Sequence, residues 1–213
     1  LNSQKPSTMR RASANDYFYY NVERPDILPN YLLLQMHAYA AGADMAPVMT
    51  RYVDKAKLLM LLMTIVGVLS IVFYFVPKDM IWAMFTLNIL ISLALGPKSP
   101  LTWSMYADTA DYNEWLNGRR ATAMTFSAAT FSQKLGGSLG SAGMLWILAA
   151  IGYAANQAQT GASQSGIAML QTLIPGLFAL IAVAVTRLYG LTGTQLEKIQ
   201  LELQERDVAR QTN

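Results

Sequence analysis

Residues Leu58–Val76 read LLMLLMTIVGVLSIVFYFV, a run with no charged side chain. A spanning helix needs about 20 mostly apolar residues, because a hydrocarbon core of about 30 Å is crossed at about 1.5 Å per residue. This run is therefore a membrane helix, and the neighbouring sequence shows what accompanies it. Five blocks reach the required length: Ile27 to Met49, Leu58 to Pro77, Met80 to Tyr106, Ala121 to Tyr153 and Gly166 to Gly190. The second and fifth are unambiguous. The first contains Asn30, Gln35, His37 and Asp44, the third contains Lys98, and the fourth contains Lys134. The expected fold is all-α: a polytopic membrane helix bundle with about five transmembrane helices. Residues 1–26 form a polar N-terminal segment, 27–190 the bundle, and 191–213 an amphipathic tail.

Composition excludes several function classes. The chain is 53% hydrophobic and 14% charged, where soluble domains run near a quarter charged. It has no cysteine and a single histidine, so disulfides, thiolate metal sites and multi-histidine metal centres are out. No metal site is expected. The net charge of +3 is carried at block ends, unlike a nucleic-acid-binding face. The partner implied is membrane lipid, not nucleic acid. The first 26 residues are polar and carry no signal-peptide pattern.

Connector charges set the orientation. Arg51, Lys55 and Lys57 lie between the first two blocks, Arg119 and Arg120 between the third and fourth, and Lys198, Arg206 and Arg210 in the tail. The alternate connectors, VPKDM and YAANQAQTGASQSG, hold one lysine between them. Basic residues stay cytoplasmic, so the tail is expected in the cytoplasm and the chain start outside. The start also carries Lys5, Arg10, Arg11 and Arg24, a layout easier to understand with a further membrane segment ahead of it. In the tail, Thr194 and Glu197 suggest a capping box, and Leu196, Ile199 and Leu203 share one helical face. A short helix packed on the membrane or on the protein is expected, with a solvated tail as the alternative.

The exceptions inside the blocks carry the functional signal. Asn30, His37 and Asp44 fall two turns apart on one line. Asn88, Ser92, Gly96, Ser99, Trp103 and Tyr106 form a second stripe, and Ser127, Thr130, Lys134, Ser138 and Ser141 a third. Three striped helices are expected to surround a common wet space. A charge at mid-bilayer costs about 2.5–3.5 kcal/mol on insertion scales, so Lys134 should face a cavity or a carboxylate. Its bland alternative is snorkelling or a single structural pair. Lys98 lies beside Gly96-Pro97 and Pro100, where a broken helix admits water. His37 is either a satisfied polar residue or, in line with Asp44, part of a proton relay. Asp44 could also pair with Lys134. Gly136, Gly140 and Gly143 lie about 200° from the Lys134 line and offer a close-packing face. Trp82, Trp146, Tyr153 and Tyr189 suit the membrane interfaces. No nucleophile–base set, phosphate loop or carboxylate pair within a span appears, so no enzyme is expected. The acidic cluster Asp108, Asp111 and Glu114 sits beside Arg119 and Arg120, either as a salt-bridged connector or as a gate latch.

That cluster also carries a resemblance. Residues 107–140, ADTADYNEWLNGRRATAMTFSAATFSQKLGGSLG, resemble the run after the tenth helix of the glycoside–pentoside–hexuronide:cation symporters, the melibiose-permease-like branch of the major facilitator superfamily. The family pattern is approximately A-D-x-x-D-Y-x-E-W/Y-x-x-x-x-R, then a helix with a buried lysine followed by glycines. Ala107, Asp108, Asp111, Tyr112, Glu114, Trp115 and Arg120 match it, with Lys134, Gly136 and Gly137 following. Residues 173–203, LIPGLFALIAVAVTRLYGLTGTQLEKIQLEL, are similar to the family's last helix and tail, and NDYFYYNVERP at 15–25 to the end of its seventh helix. Residues 1–26 would then be the remnant of a preceding helix.

The resemblance implies the C-terminal half of a sugar or glycoside symporter of the bacterial inner (plasma) membrane, coupled to Na+ or H+ and working by alternating access. The missing N-terminal half would hold most of the coupling-cation ligands, and no other cofactor is implied. Candidate pathway residues are Lys134, Thr130, Ser127, Ser99, Asn88, Trp103, His37 and Asp44. Candidate cytoplasmic gate residues are Asp108, Asp111, Tyr112, Glu114, Arg119 and Arg120. Two departures stand out: Ser99 occupies a position where some members place a pocket aromatic, and Lys98 is not part of the family pattern. A non-transporting scaffold or assembly partner is the alternative function.

Overall fold

The computed structural model describes residues 14, 16–119, 121–154, 157 and 159–211, without the side chains of 207 and 209–211. Every regular element among the described residues is helical. A π-helical turn, Tyr17–Asn21, and a 3₁₀ turn, Pro25–Ile27, lead into α1 (Leu28–Met49). There follow α2 (Lys55–Tyr74), α3 (Ile81–Leu95), α4 (Lys98–Asn117) and α5 (Thr122–Ala150). The chain ends with α6 (Gly161–Gln171), α7 (Leu173–Thr186) and α8 (Gly193–Gln211).

The five expected blocks each appear as helix. Among the described residues, three segments are long and apolar enough to cross a membrane: Lys55–Tyr74, Ile81–Asn117 and Gly161–Thr186. The latter two are each built from a pair of helices. Proline explains both interruptions: it lacks an N–H and its ring crowds the carbonyl four residues back. Pro97 and Pro100 break the ladder between α3 and α4, and Pro175 follows the kink at Thr172 between α6 and α7. At 22 and 29 residues, α1 and α5 have the length to span, but their polar lines leave them less apolar than those three segments.

Helix α2 is the centre of the bundle, buried along its length from Leu58 to Phe73. Its Gly67 and Ser70 admit Gly176 of α7, where an added Cβ would sit 3.1 Å from both the Gly67 carbonyl and the Ser70 side chain. On its other side, α3 packs on α1 through small residues. A Cβ on Gly42 would run into the Leu93 carbonyl, and one on Gly96 into the Tyr39 carbonyl. By contrast α5 buries only Ala129 and Leu148. No heavy atom lies within 4 Å of a Cβ built on Gly136 or Gly143, so that face packs on nothing among the described residues.

The two ends differ. At one, Asn21 Nδ2 donates to the Gln164 carbonyl (2.8 Å), Gln164 Nε2 to the Tyr20 carbonyl (3.1 Å), and Lys78 Nζ to Gln164 Oε1 (3.2 Å). Tyr17 and Phe18 are buried there among Tyr31, Phe73 and Met84. At the other end lies α8. Its start differs from the expected capping box: the Thr192 N–H donates to Gln195 Oε1 (3.2 Å), and Asp54 Oδ1 accepts from the Gly193 N–H (3.2 Å). The helix begins at Gly193, one residue before Thr194, and Asp54 anchors its first N–H. Leu196 and Ile199 are buried against the chain, so the tail packs on protein. Trp115 Nε1 donates to Glu202 (2.6 Å), and Arg206 donates to the Trp115 carbonyl (3.1 Å). Trp115→Phe removes that donor and is expected to cost about 1–2 kcal/mol. Hydrogen exchange in α8 should then rise while α2 stays protected; unchanged exchange in α8 would refute the anchoring role.

Candidate functional site

The site is built on the least buried helix. Ala123, Phe126, Ser127, Thr130, Phe131 and Lys134 line an open cleft of about 530 Å³ along α5. Phe126, Thr130 and Lys134 recur every four residues, one turn apart, and so share a face. Thr130 Oγ1 donates to the Phe126 carbonyl (2.8 Å), which leaves its lone pairs facing the cleft. Ser127 is exposed. The Lys134 ammonium has no carboxylate partner among the described residues, and Asp44, exposed on α1, does not reach it. Trp103 stacks on Phe126 at 5.7 Å and 15°, and Tyr106 meets Trp103 edge-on at 5.7 Å. These rings fix the cleft wall from α4.

The other pathway candidates lie elsewhere. Asn88 is 1% exposed, and its Nδ2 donates to the Tyr31 carbonyl (3.3 Å). Ser92 is equally buried. The stripe Asn88–Ser92–Gly96 therefore faces the α1/α3 seam and shares no open face with Lys134. The physical reason is that small and polar residues suit a close helix crossing as well as they suit water. Ser99 is half-buried one turn before Trp103. His37 is exposed on α1, with Nδ1 2.8 Å from the Leu33 carbonyl. Asn30 and Asp44 share its outward line. The serines beyond Lys134 bond their own helix, Ser138 to the Lys134 carbonyl (3.0 Å) and Ser141 to the Gly137 carbonyl (2.9 Å).

At the α8 end the acidic cluster has a partner that the connector reading missed. Lys55 Nζ reaches both oxygens of Asp108, at 2.7 and 2.9 Å, and the Asp108 side chain is only 5% exposed. Beside it, burial and the Asp108 charge push the Tyr189 phenol up to about 12, a sign of a dry environment. Tyr112 stacks on Trp115 at 6.1 Å and 24°. The Gly118 N–H bonds the Glu114 carbonyl (2.8 Å) in a left-handed turn that ends α4, and Asn113 bonds the Arg119 carbonyl (3.2 Å). Asp111 and Glu114 are half-buried and Arg119 is exposed. Arg120 lies outside the described residues. Phe126 and Phe131, which line the cleft, were not among the residues singled out from the sequence; the signal available was their spacing, four before Thr130 and three before Lys134. No local signal pairs Lys55 with Asp108, which lies 53 residues away. Among the described residues, no group of three or more His, Asp or Glu could hold a metal ion.

Comparison with known proteins agrees with this architecture. The family described as MFS/sugar transport protein matches residues 7–193. The chain is 36% identical over 163 residues to an uncharacterized 29.9 kDa protein of Pseudescherichia vulneris, covering 76% of this chain and 60% of that protein. It is 32% identical over 181 residues to the Inner membrane symporter YicJ of Escherichia coli (strain K12), covering 84% and 39% respectively. Identity to the Isoprimeverose transporter of Lactiplantibacillus pentosus is 30% over 178 residues, 82% of this chain and 37% of that protein. The chain thus spans less than two thirds of the length of each of these relatives. The second and third of these relatives carry the names of transporters, not enzymes, and the apolar helices are those of a multi-pass membrane protein. The match over most of the chain, together with the motif at its charged end, places the chain in the MFS/sugar transport protein family, within the glycoside–pentoside–hexuronide:cation symporter branch.

Proposed function

We propose that the chain supplies the C-terminal half of a secondary transporter that carries a sugar or glycoside with Na+ or H+ across a bacterial inner membrane, with α8 on the cytoplasmic side. The observation that carries this reading is the uncovered face of α5, where an unpaired Lys134 stands among Ser127, Thr130, Phe126 and Phe131. An ammonium at that depth needs water or a negative group opposite. A second six-helix unit facing α5 and α1 would provide both, with substrate held between the units near mid-membrane. Hydroxyls and aromatic faces suit a sugar's hydroxyls and its apolar ring face. The Lys55–Asp108 pair, together with Asp111, Glu114, Arg119 and Arg120, would serve as the cytoplasmic gate, closed on one side of the cycle and open on the other.

In an intact homologue, Lys134→Ala is expected to lower cation-driven uptake of labelled glycoside by about 100-fold, the order seen when one partner of a desolvated charge pair is removed. Surface expression should remain. Coupled uptake at the unsubstituted rate would remove Lys134 from the mechanism. The second reading, a membrane scaffold without transport, is favoured by the same open face, since α5 exposes most of its length. Uptake by this chain expressed alone would contradict both the scaffold reading and the need for a second unit.

A further inference from the structure

The cleft along α5 changes character from end to end. Phe126 lines one end, Thr130 the middle and Lys134 the other. Phe126 and Lys134 are eight residues apart, about 12 Å along the axis at about 1.5 Å per residue. Both side chains lean toward the helix N-terminus, so their tips keep that spacing. Thr130 stands midway. Its hydroxyl hydrogen is used on the Phe126 carbonyl at 2.8 Å, so toward the cleft it accepts and does not donate. The Lys134 ammonium only donates. A ligand matching this row presents, in order, an apolar face, a hydroxyl donor and acceptor oxygens.

Helix α5 buries only Ala129 and Leu148, yet its Phe126 is clamped by two rings of α4. Trp103 stacks on Phe126 at 5.7 Å and 15°, and Tyr106 meets it edge-on at 6.4 Å and 79°. Tyr106 is in turn edge-on to Trp103 at 5.7 Å and 86°. Offset-stacked and edge-to-face pairs are the arrangements that ring quadrupoles favour, so the trio fixes one orientation of the Phe126 ring. Trp103 covers one face of that ring, and the other is left to the cleft. A flat carbon face of fixed orientation matches the C–H face of a pyranose, whose hydroxyls stand around its rim. One turn back on α4, Ser99 is half-buried. The turn at Gly118 joins α4 to α5 and makes them antiparallel, so Ser99 comes level with Thr130. A serine fills less of that wall than a ring would, and the cleft widens just beyond the Phe126 platform.

We propose that Trp103 is a positioning residue: by stacking behind Phe126 it presents that ring as the platform for one pyranose of a two-ring glycoside, whose second ring reaches Lys134. A single pyranose lying on Phe126 does not extend along two helical turns to the ammonium, and two linked rings do. The first ring gives its C–H face to Phe126. The second gives a hydroxyl hydrogen to Thr130 and oxygen lone pairs to Lys134. The inference rests on the transport reading above and names its substrate class, and its test separates the two.

The chain, expressed with its six-helix partner unit, is reconstituted in proteoliposomes. Counterflow is measured with labelled melibiose and isoprimeverose, which have two rings, and with labelled methyl galactoside and methyl xyloside, which have one. The two-ring probes are expected to show a KM about tenfold or more lower, because a one-ring probe on the platform forgoes the hydrogen bond to the ammonium. Trp103→Ala and Phe126→Leu should each raise the KM of the better two-ring probe by about fivefold while kcat holds. Trp103→Phe keeps a stacking ring and should return the KM to within about twofold. The double variant Trp103→Ala with Phe126→Leu should be no worse than Phe126→Leu, because Trp103 acts through that one ring. A mere packing role would instead lower kcat and the melting temperature together, and the two losses would add. Preference for the one-ring probes, a KM unmoved by Trp103→Ala, or additive losses overturns the proposal and leaves the transport reading standing. Absence of counterflow with all four probes in the unsubstituted protein overturns the transport reading, and this inference with it.

Discussion

Replacing Gly42 with leucine is expected to separate α1 from α3 and to destabilise the protein by about 3 kcal/mol or more. The obstacle is backbone. A Cβ at Gly42 meets the Leu93 carbonyl oxygen, with the Gly96 Cα 3.2 Å away. A carbonyl in a helix cannot rotate aside as a side chain can, so the two axes must move apart. That movement would uncover Asn88, whose Nδ2 bonds the Tyr31 carbonyl across the same seam. Leucines at Gly136 and Gly143 make the control, because open space surrounds both. Their effect on the stability of this chain should stay within about 0.5 kcal/mol. Thermal melting in detergent decides the matter. Equal melting points for the Gly42 and Gly136 variants would mean that the α1/α3 crossing does not hold the bundle together.

The second large effect is expected at Lys55. Its ammonium lies on both oxygens of a carboxylate that is 5% exposed, while the lysine itself is 32% exposed. Lys55→Ala would leave the Asp108 charge in a dry site without compensation, at a cost of about 3 kcal/mol, the lower end for a broken buried pair because the lysine is partly solvated. The damage should spread, because Asp54, the adjacent residue, holds the first N–H of α8. Replacing both partners, Lys55→Leu with Asp108→Leu, should recover most of the loss, since no unpaired charge remains. Chemical denaturation in micelles reads the difference. A double variant no more stable than Lys55→Ala would show that the pair contributes specific geometry beyond charge balance.

These two sites also show where local sequence is informative. The seam between α1 and α3 contains the residues read as a polar stripe, Asn88, Ser92 and Gly96. Period and polarity pick out a special face of a helix, but they do not distinguish a face that meets water from one that meets another backbone. Burial decides that, and burial belongs to the assembled bundle. For α5 the same kind of stripe does open on a cleft, because few other elements cover it. The aromatic wall of Trp103 on Phe126 joins two helices whose contact no local pattern encodes.

The sequence by itself determined that this chain is a helical membrane protein, because the cost of unpaired backbone groups in hydrocarbon leaves a long apolar segment no alternative to the helix. It also determined the charge carried by each connector, and its quoted motif determined the family. Only the tertiary structure decided that Asp108 faces Lys55, that the tail lies on Trp115 and Asp54, and that Asn88 is sealed while His37 and Lys134 stand open. Those choices depend on which helices touch, and contacts between residues far apart in the chain are set by packing shape and charge across the whole bundle rather than by any local pattern.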